Sequence, residues 1–249
     1  MRYQVNEEGL ESVAGSSGER PDLGAVRRAV ALSFAAWTDV ECSDMTLVDG
    51  GLTLRKDSDY RVGDSRNTNL VMWRDKDWNA LASAQAFALT SVTYNPRNGL
   101  IADADIQVNT ELYTYSASTQ PRANHVDLQN TLTHEVGHFI GLDHSDLSAA
   151  TMFSTAPIGE ITKRSLHPDD INGLCATYPL SAEDPPQCLS ASEFPSEADL
   201  GLHQAACNAA TAESQPPTAT LIVLGLLLLV MRNGRRLLHD RRPAGIRTK

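Results

Sequence analysis

The stretch HEVGHFIGLDHS, residues 134–145, sets His134, His138 and His144 around one glutamate, Glu135, and one glycine, Gly141. On an α-helix, positions i and i+4 share a face, so His134 and His138 can present two imidazoles to one metal ion. Gly141 lets the chain leave the helix and turn back, so that His144 can add a third nitrogen from the loop. Three imidazoles leave one corner of a tetrahedral zinc open, the arrangement of catalytic rather than structural zinc. Glu135 adjoins the first ligand and points elsewhere, so it can take a proton from a water in the open corner and return it to a leaving amine. The set accounts for peptide-bond hydrolysis with no residue left over. Two other readings compete: helix histidines satisfied by ordinary neighbours, and a surface-anchored zinc-binding protein without turnover. Glu135 separates the second from an enzyme, because a protein that only holds zinc has no chemical need for it. His125, His167, His203 and His239 lack this spacing and read as surface, cap or tail residues.

The elements that must position these groups are legible in part. The segment HVDLQNTLTHEVGHFIGL is helical, with Leu128, Leu132, Val136, Phe139 and Ile140 apolar, and it stops at Gly141. A helix over residues 22–41 begins at the cap Asp22 and places Val26, Ala29, Val30, Phe34 and Trp37 on one core face. NLVMW, residues 69–73, reads as a buried strand. QAFALTSVTYNPRNGLIADADIQVNTE reads as two strands joined by a turn at residues 95–99. MRYQVNEEG reads as an edge strand running into a turn. A last helix starts at HPDDINGLCATYP, with Pro168 in its first turn, Asp169 and Asp170 at its positive end, and Pro179 closing it.

At 249 residues, 41% hydrophobic and 21% charged, the chain has enough apolar material for a core. Its net charge of −10 hides an asymmetry: seven Lys/Arg and one acid follow residue 231, leaving 14 basic against 30 acidic groups before it. An acidic body excludes nucleic acid, whose phosphates require a basic face. Cys42, Cys175, Cys188 and Cys207 form no CxxC pair, which argues against a zinc–thiolate cluster and leaves disulfides or buried thiols. Four cysteines allow three full pairings, and the residues do not choose among them. Residues 180–217 are rich in Pro, Ser and Glu and read as a linker. The apolar run Ala219–Met231 spans roughly 20 Å, short of the ~30 Å hydrocarbon core, so length alone favours a buried helix. The arginines that follow at once favour instead a membrane-inserted segment over 218–231 with a basic cytoplasmic tail, 232–249.

The pattern H-E-x-x-H-x-x-G-x-x-H resembles that of the metzincin clan of zinc endopeptidases. The clan implies a methionine in a tight turn beneath the zinc, and AATMFSTAP places Met152 eight residues after His144. Ser145, after the third histidine, and DDINGLCATYP both resemble the matrixin family, and the likeness covers residues 20–179. It implies an α/β zincin fold over residues 1–179: a twisted, mostly parallel five-stranded sheet, an active-site helix and a small C-terminal subdomain. It implies one catalytic zinc held by His134, His138 and His144, with Glu135 as acid/base and Met152 as structural floor. It further implies an edge strand that pairs with extended substrate, matched to Ala88, Leu89, Thr90 and Ser91, and a specificity-pocket wall near Pro157 and Ile158. Residues 74–100 contain no histidine, which departs from the family's structural-zinc loop. Calcium at Asp103 and Asp105 is suggested by the same likeness, although alternation along a strand also explains two outward carboxylates. The tail resembles the sorting segments of bacterial surface proteins. The expectation is thus a monomeric endopeptidase acting on protein or peptide substrates, secreted or anchored to an envelope membrane with its catalytic domain outside the cytoplasm. No signal peptide is visible, so the given start is expected to lie inside a longer gene product. An upstream cysteine would then pair with Cys42, and Cys175–Cys188 is the favoured bridge among the rest.

Overall fold

The computed structural model describes residues 1–17, 22–58, 60–64, 66–120 and 122–180. The linker, the apolar segment 218–231, the basic tail, Cys188 and Cys207 lie outside the described residues. Among those that are described, no helix is long and apolar enough to cross a membrane.

The architecture is a mixed α/β one. Five strands, β1 (Arg2–Asn6), β2 (Val48–Thr53), β3 (Asn69–Arg74), β4 (Ala88–Tyr94) and β5 (Ile101–Asn109), form one sheet in the order β2-β1-β3-β5-β4. All neighbours are parallel except β4, which runs antiparallel to β5 at the sheet's edge. The hairpin between them turns where expected, with the Gly99 N–H donating to the Asn95 carbonyl. A two-stranded pair, β6 (Tyr115–Ser116) and β7 (Val126–Asp127), precedes the helix that starts at Leu128.

The N-terminal strand is not at an edge. Tyr3 pairs with Asp49 on one side and with Asn69 on the other, so β1 lies inside the sheet. Its own alternation, with Tyr3 and Val5 buried, does not reveal whether both flanks are paired, because the partners lie more than 40 residues away. Strand β2 carries no sequence signal of its own. VDGGLT holds two glycines in place of β-branched residues, and it is a strand because β1 supplies its hydrogen bonds.

Helices α1 (Leu23–Thr38) and α2 (Leu128–Phe139) pack against the sheet face that presents Ala104, Ile106 and Val108, all fully buried. Asp22 caps α1 by accepting from the Ala25 N–H, as its sequence predicts. Tyr3 stacks on Phe34 with ring centroids 3.6 Å apart, and Phe34 meets Phe139 edge-on at 5.4 Å. The indole of Trp37 donates to the Thr133 carbonyl at 2.8 Å, which fixes α1 against the helix that carries the first two histidines. Asp127 caps α2 and also takes the guanidinium of Arg164. This ties the short 3-10 turn Thr162–Arg164 to the start of that helix.

The other face of β5 departs from expectation. Asp103 and Asp105 do point away from the helices, yet they are buried, at 5% and 1% exposure, rather than solvated. Arg55, Arg61 and Arg66 line a polar pocket together with Asp103, and Asp105 accepts from the Leu70 N–H. Loss of water pushes the Asp103 carboxyl up to about 6.

Helix α3 (Pro168–Thr177) starts behind His167, whose ring accepts from the Asp169 N–H while Asp170 accepts from the His167 N–H. A disulfide joins Cys42, just beyond α1, to Cys175 in α3, with Cα atoms 5.6 Å apart. This overturns both the Cys175–Cys188 pairing and an upstream partner for Cys42. Tertiary packing makes the choice: the Leu180 N–H donates to the Cys42 carbonyl and Ser43 bridges to Pro179, bringing together segments far apart in the chain. The bridge closes a sequence separation of 133 residues. Replacing both cysteines by serine is expected to lower the unfolding free energy by about 2–5 kcal/mol, read from urea melts of the oxidised wild type and the variant.

Candidate metal centre

Helix α2 carries His134, Glu135 and His138, and its end explains how the third histidine arrives. Gly141 adopts φ 89°, a left-handed conformation that glycine reaches without a Cβ clash. The Gly141 N–H donates to the His138 carbonyl and the Leu142 N–H to the Gly137 carbonyl, the two bonds of a Schellman stop. The reversed chain returns His144 to the helix face. The ligand atoms offered by His134, His138 and His144 then lie within 4.8 Å of one another, and the His138 and His144 Nε2 atoms are 3.1 Å apart.

The far ring nitrogens settle the tautomers. His134 Nδ1 lies 2.7 Å from the Thr151 carbonyl and His138 Nδ1 2.8 Å from the Leu142 carbonyl. A carbonyl oxygen only accepts, so each Nδ1 carries the proton and each Nε2 lone pair is free to face a cation. Burial also holds these imidazoles in the neutral form a metal needs, lowering His134 to about 3 and His138 and His144 below the usual histidine range. The donor set, its spacing and its protonation all fit zinc.

Beneath the histidines lies the turn containing Met152. Its side chain is buried against Gly137 at a distance that leaves no room for a Cβ there, which is why the position immediately before His138 holds no side chain. The Ser145 N–H donates to the Met152 carbonyl, closing the loop that carries His144. Asp170, 2% exposed, accepts from the Thr151, Met152 and His167 N–H groups at 2.8, 2.9 and 2.8 Å. Its sequence context suggests only a helix-terminal acid. In the fold it braces the methionine turn, and through the Thr151 carbonyl it orients His134. The neighbouring Asp169 accepts from the Ser145 hydroxyl at 2.6 Å.

Glu135 is 6% exposed, and burial pushes its carboxyl up to about 7, while the Thr90 hydroxyl and the Lys163 charge act in the opposite sense. Thr90 Oγ1 lies 2.5 Å from Glu135 Oε2. Lys163, also buried, donates its ammonium to the Phe153 and Thr155 carbonyls just past the methionine turn. No periodicity or motif marks Lys163 in the sequence.

Of the strand residues expected near the site, Thr90 faces α2, whereas Leu89 is half-buried and Ser91 exposed on the edge strand β4. Pro157 and Ile158 stand exposed at the turn closed by the Glu160 N–H on the Pro157 carbonyl.

Comparison with known proteins agrees with this geometry. Over 163 residues the chain is 26% identical to Metalloendoproteinase 2-MMP of Arabidopsis thaliana, covering 64% of this chain and 39% of that protein. The chain therefore spans about two fifths of that relative's length. The matrixin family matches residues 22–179, from the cap of α1 to the end of α3 and across all three histidines. With the histidine cluster, the glycine stop and the methionine turn all inside that match, the chain belongs to the matrixin family.

Proposed function

We propose that this protein is a zinc-dependent endopeptidase, with His134, His138 and His144 as the zinc ligands. The observation that carries this reading is the convergence of three neutral Nε2 donors beside a buried carboxylate. When bound, zinc supplies Lewis acidity, which makes a water more acidic and polarises a carbonyl. Glu135 takes the proton released as water attacks the scissile carbonyl, and returns it to the leaving amine. Its burial suits this exchange, because a carboxyl raised to about 7 both accepts and gives up a proton near neutrality. Met152 packs under the ligands and keeps the helix and the loop in register. Strand β4 pairs on one side with β5, so its free edge can align an extended substrate by backbone hydrogen bonds along Leu89, Thr90 and Ser91. Pro157 and Ile158 would border the side-chain pocket beyond it.

Asp103 and Asp105 fit calcium poorly. Asp103 shares its pocket with Arg55, Arg61 and Arg66, and Asp105 already accepts from the Leu70 N–H. No step is assigned to calcium. The Cys42–Cys175 disulfide supports a site of action outside the cytoplasm, where such bonds persist. The apolar segment 218–231 and its arginines support an envelope anchor with the basic end inside. The acidic charge of the body supports protein rather than nucleic-acid partners, and the enzyme is proposed to act as a monomer.

The test is cleavage of an unfolded protein substrate by the full chain, before and after treatment with a chelator. Turnover is expected to vanish in the chelator and to return with one equivalent of zinc. One tightly bound zinc without any turnover would replace this reading with that of a zinc-binding protein.

A further inference from the structure

Thr90 makes a contact that strand pairing does not require. It lies opposite Ile106 in the β4–β5 ladder, and its side chain projects with Ala88 and Val92 toward α2, away from Leu89 and Ser91. Its hydroxyl reaches Glu135 twice, at 2.5 Å to Oε2 and 3.2 Å to the main-chain carbonyl. Both targets are acceptors, so the single hydroxyl proton lies between them and the short contact takes most of it. Among the described residues, Thr90 is the one side chain that hydrogen-bonds to this carboxylate.

We infer that Thr90 is a positioning residue for the proton-transfer step, clamping Glu135 Oε2 against the edge strand so that Oε1 is the oxygen left to exchange the proton. The inference rests on the endopeptidase reading and deepens it. A glutamate has three rotatable side-chain bonds, and beside a metal centre a free carboxylate would sample several rotamers. Threonine suits the clamp because its branched Cβ restricts χ1 and fits a strand. Serine could supply the hydroxyl from the same atom, whereas valine keeps the shape and removes the donor. The geometry also separates two duties on one strand: the backbone of β4 is free to align substrate, while the Thr90 side chain points inward to the carboxylate. Thr90 therefore belongs with the acid/base machinery rather than with the side chains that select substrate.

The experiment compares zinc-loaded wild type, Thr90→Val and Thr90→Ser in the full chain. Thr90→Val is expected to lower kcat by about 10–100-fold, the usual cost of losing an orienting partner. KM for a peptide substrate and zinc affinity, measured by competition with a chromophoric chelator, are expected to stay within about twofold. Thr90→Ser should recover most of the lost kcat. In crystals of Thr90→Val, the Glu135 carboxylate should leave the β4 edge. Wild-type kcat in Thr90→Val with Glu135 in its original rotamer would overturn the inference. So would a loss confined to KM or zinc affinity that serine does not restore, which would mark a substrate or structural role. If wild type holds zinc without turnover, the endopeptidase reading falls, and the carboxylate orientation in Thr90→Val still decides whether the clamp exists.

Discussion

Glu135→Gln is expected to lower kcat/KM by about 10²–10⁴-fold while one zinc remains bound. Glutamine keeps the volume and an amide oxygen that can still accept from Thr90, so what it removes is the proton site. The two carboxylates at the start of α3 are already engaged. Asp170 is committed to the methionine turn by three N–H groups, and Asp169 is held by Ser145. Because the proposed ligands are His134, His138 and His144, zinc stoichiometry should be unaffected, and atomic absorption on the purified variant checks this directly. The stability of the variant carries a second signature. Burial raises the folded-state carboxyl of Glu135 from its ordinary value to about 7. A raised carboxyl favours the folded state while it is protonated. That advantage is lost as pH climbs from the unfolded value through about 7, where the ionised form must be kept out of water. In zinc-free protein above pH 7, Glu135→Gln should therefore be at least as stable as wild type. A variant that is inactive because it is unfolded would show the opposite, and one that retains full turnover would end the proposed mechanism.

The second large effect belongs to a residue that touches no ligand. Asp170→Asn is expected to lower the unfolding free energy by about 2–4 kcal/mol and zinc affinity by about 10–100-fold. The carboxylate accepts from three backbone N–H groups while 2% exposed. An amide can offer one oxygen to them, and it turns its NH2 against a donor that is already buried. Oδ2 serves the Thr151 and His167 N–H groups and Oδ1 serves that of Met152, so either orientation of the amide leaves an N–H of the methionine turn unmet, and the turn under the histidines loosens first. The Thr151 carbonyl then no longer holds the His134 Nδ1 proton in place, and the first histidine loses its orientation. Urea melts measure the first quantity and chelator competition the second. Unchanged zinc affinity in a destabilised variant would show that Asp170 supports the fold without tuning the centre.

Much of the site was legible because its logic is local. The i, i+4 spacing of His134 and His138, the glycine stop at Gly141 and the return of His144 all lie within 11 residues, and helix geometry alone brings them together. The same holds for α1 with its cap Asp22, for the β4–β5 hairpin, and for α3 with Pro168 at its start, since each is written in periodicity and punctuation over a short window. What the tertiary structure decided involves partners distant in the chain. Strand β1 became an inner strand, and glycine-bearing β2 became a strand at all, only because remote segments supplied hydrogen bonds. Cys42 found Cys175 because the segment after α1 meets the chain leaving α3, where the Leu180 N–H reaches the Cys42 carbonyl and Ser43 bridges to Pro179, a choice that no cysteine count contains. Asp103 and Asp105 alternate along β5 as a solvated face would, yet both are buried, Asp103 beside the segment carrying Arg55, Arg61 and Arg66 and Asp105 against the Leu70 N–H of β3. Thr90, expected through its backbone, turned its hydroxyl to Glu135, and Asp170, expected as a helix-end charge, turned to the methionine turn. The candidate ligand set follows from residue type and spacing along the chain, whereas the orientation of those histidines depends on groups that meet them only after the chain has closed on itself.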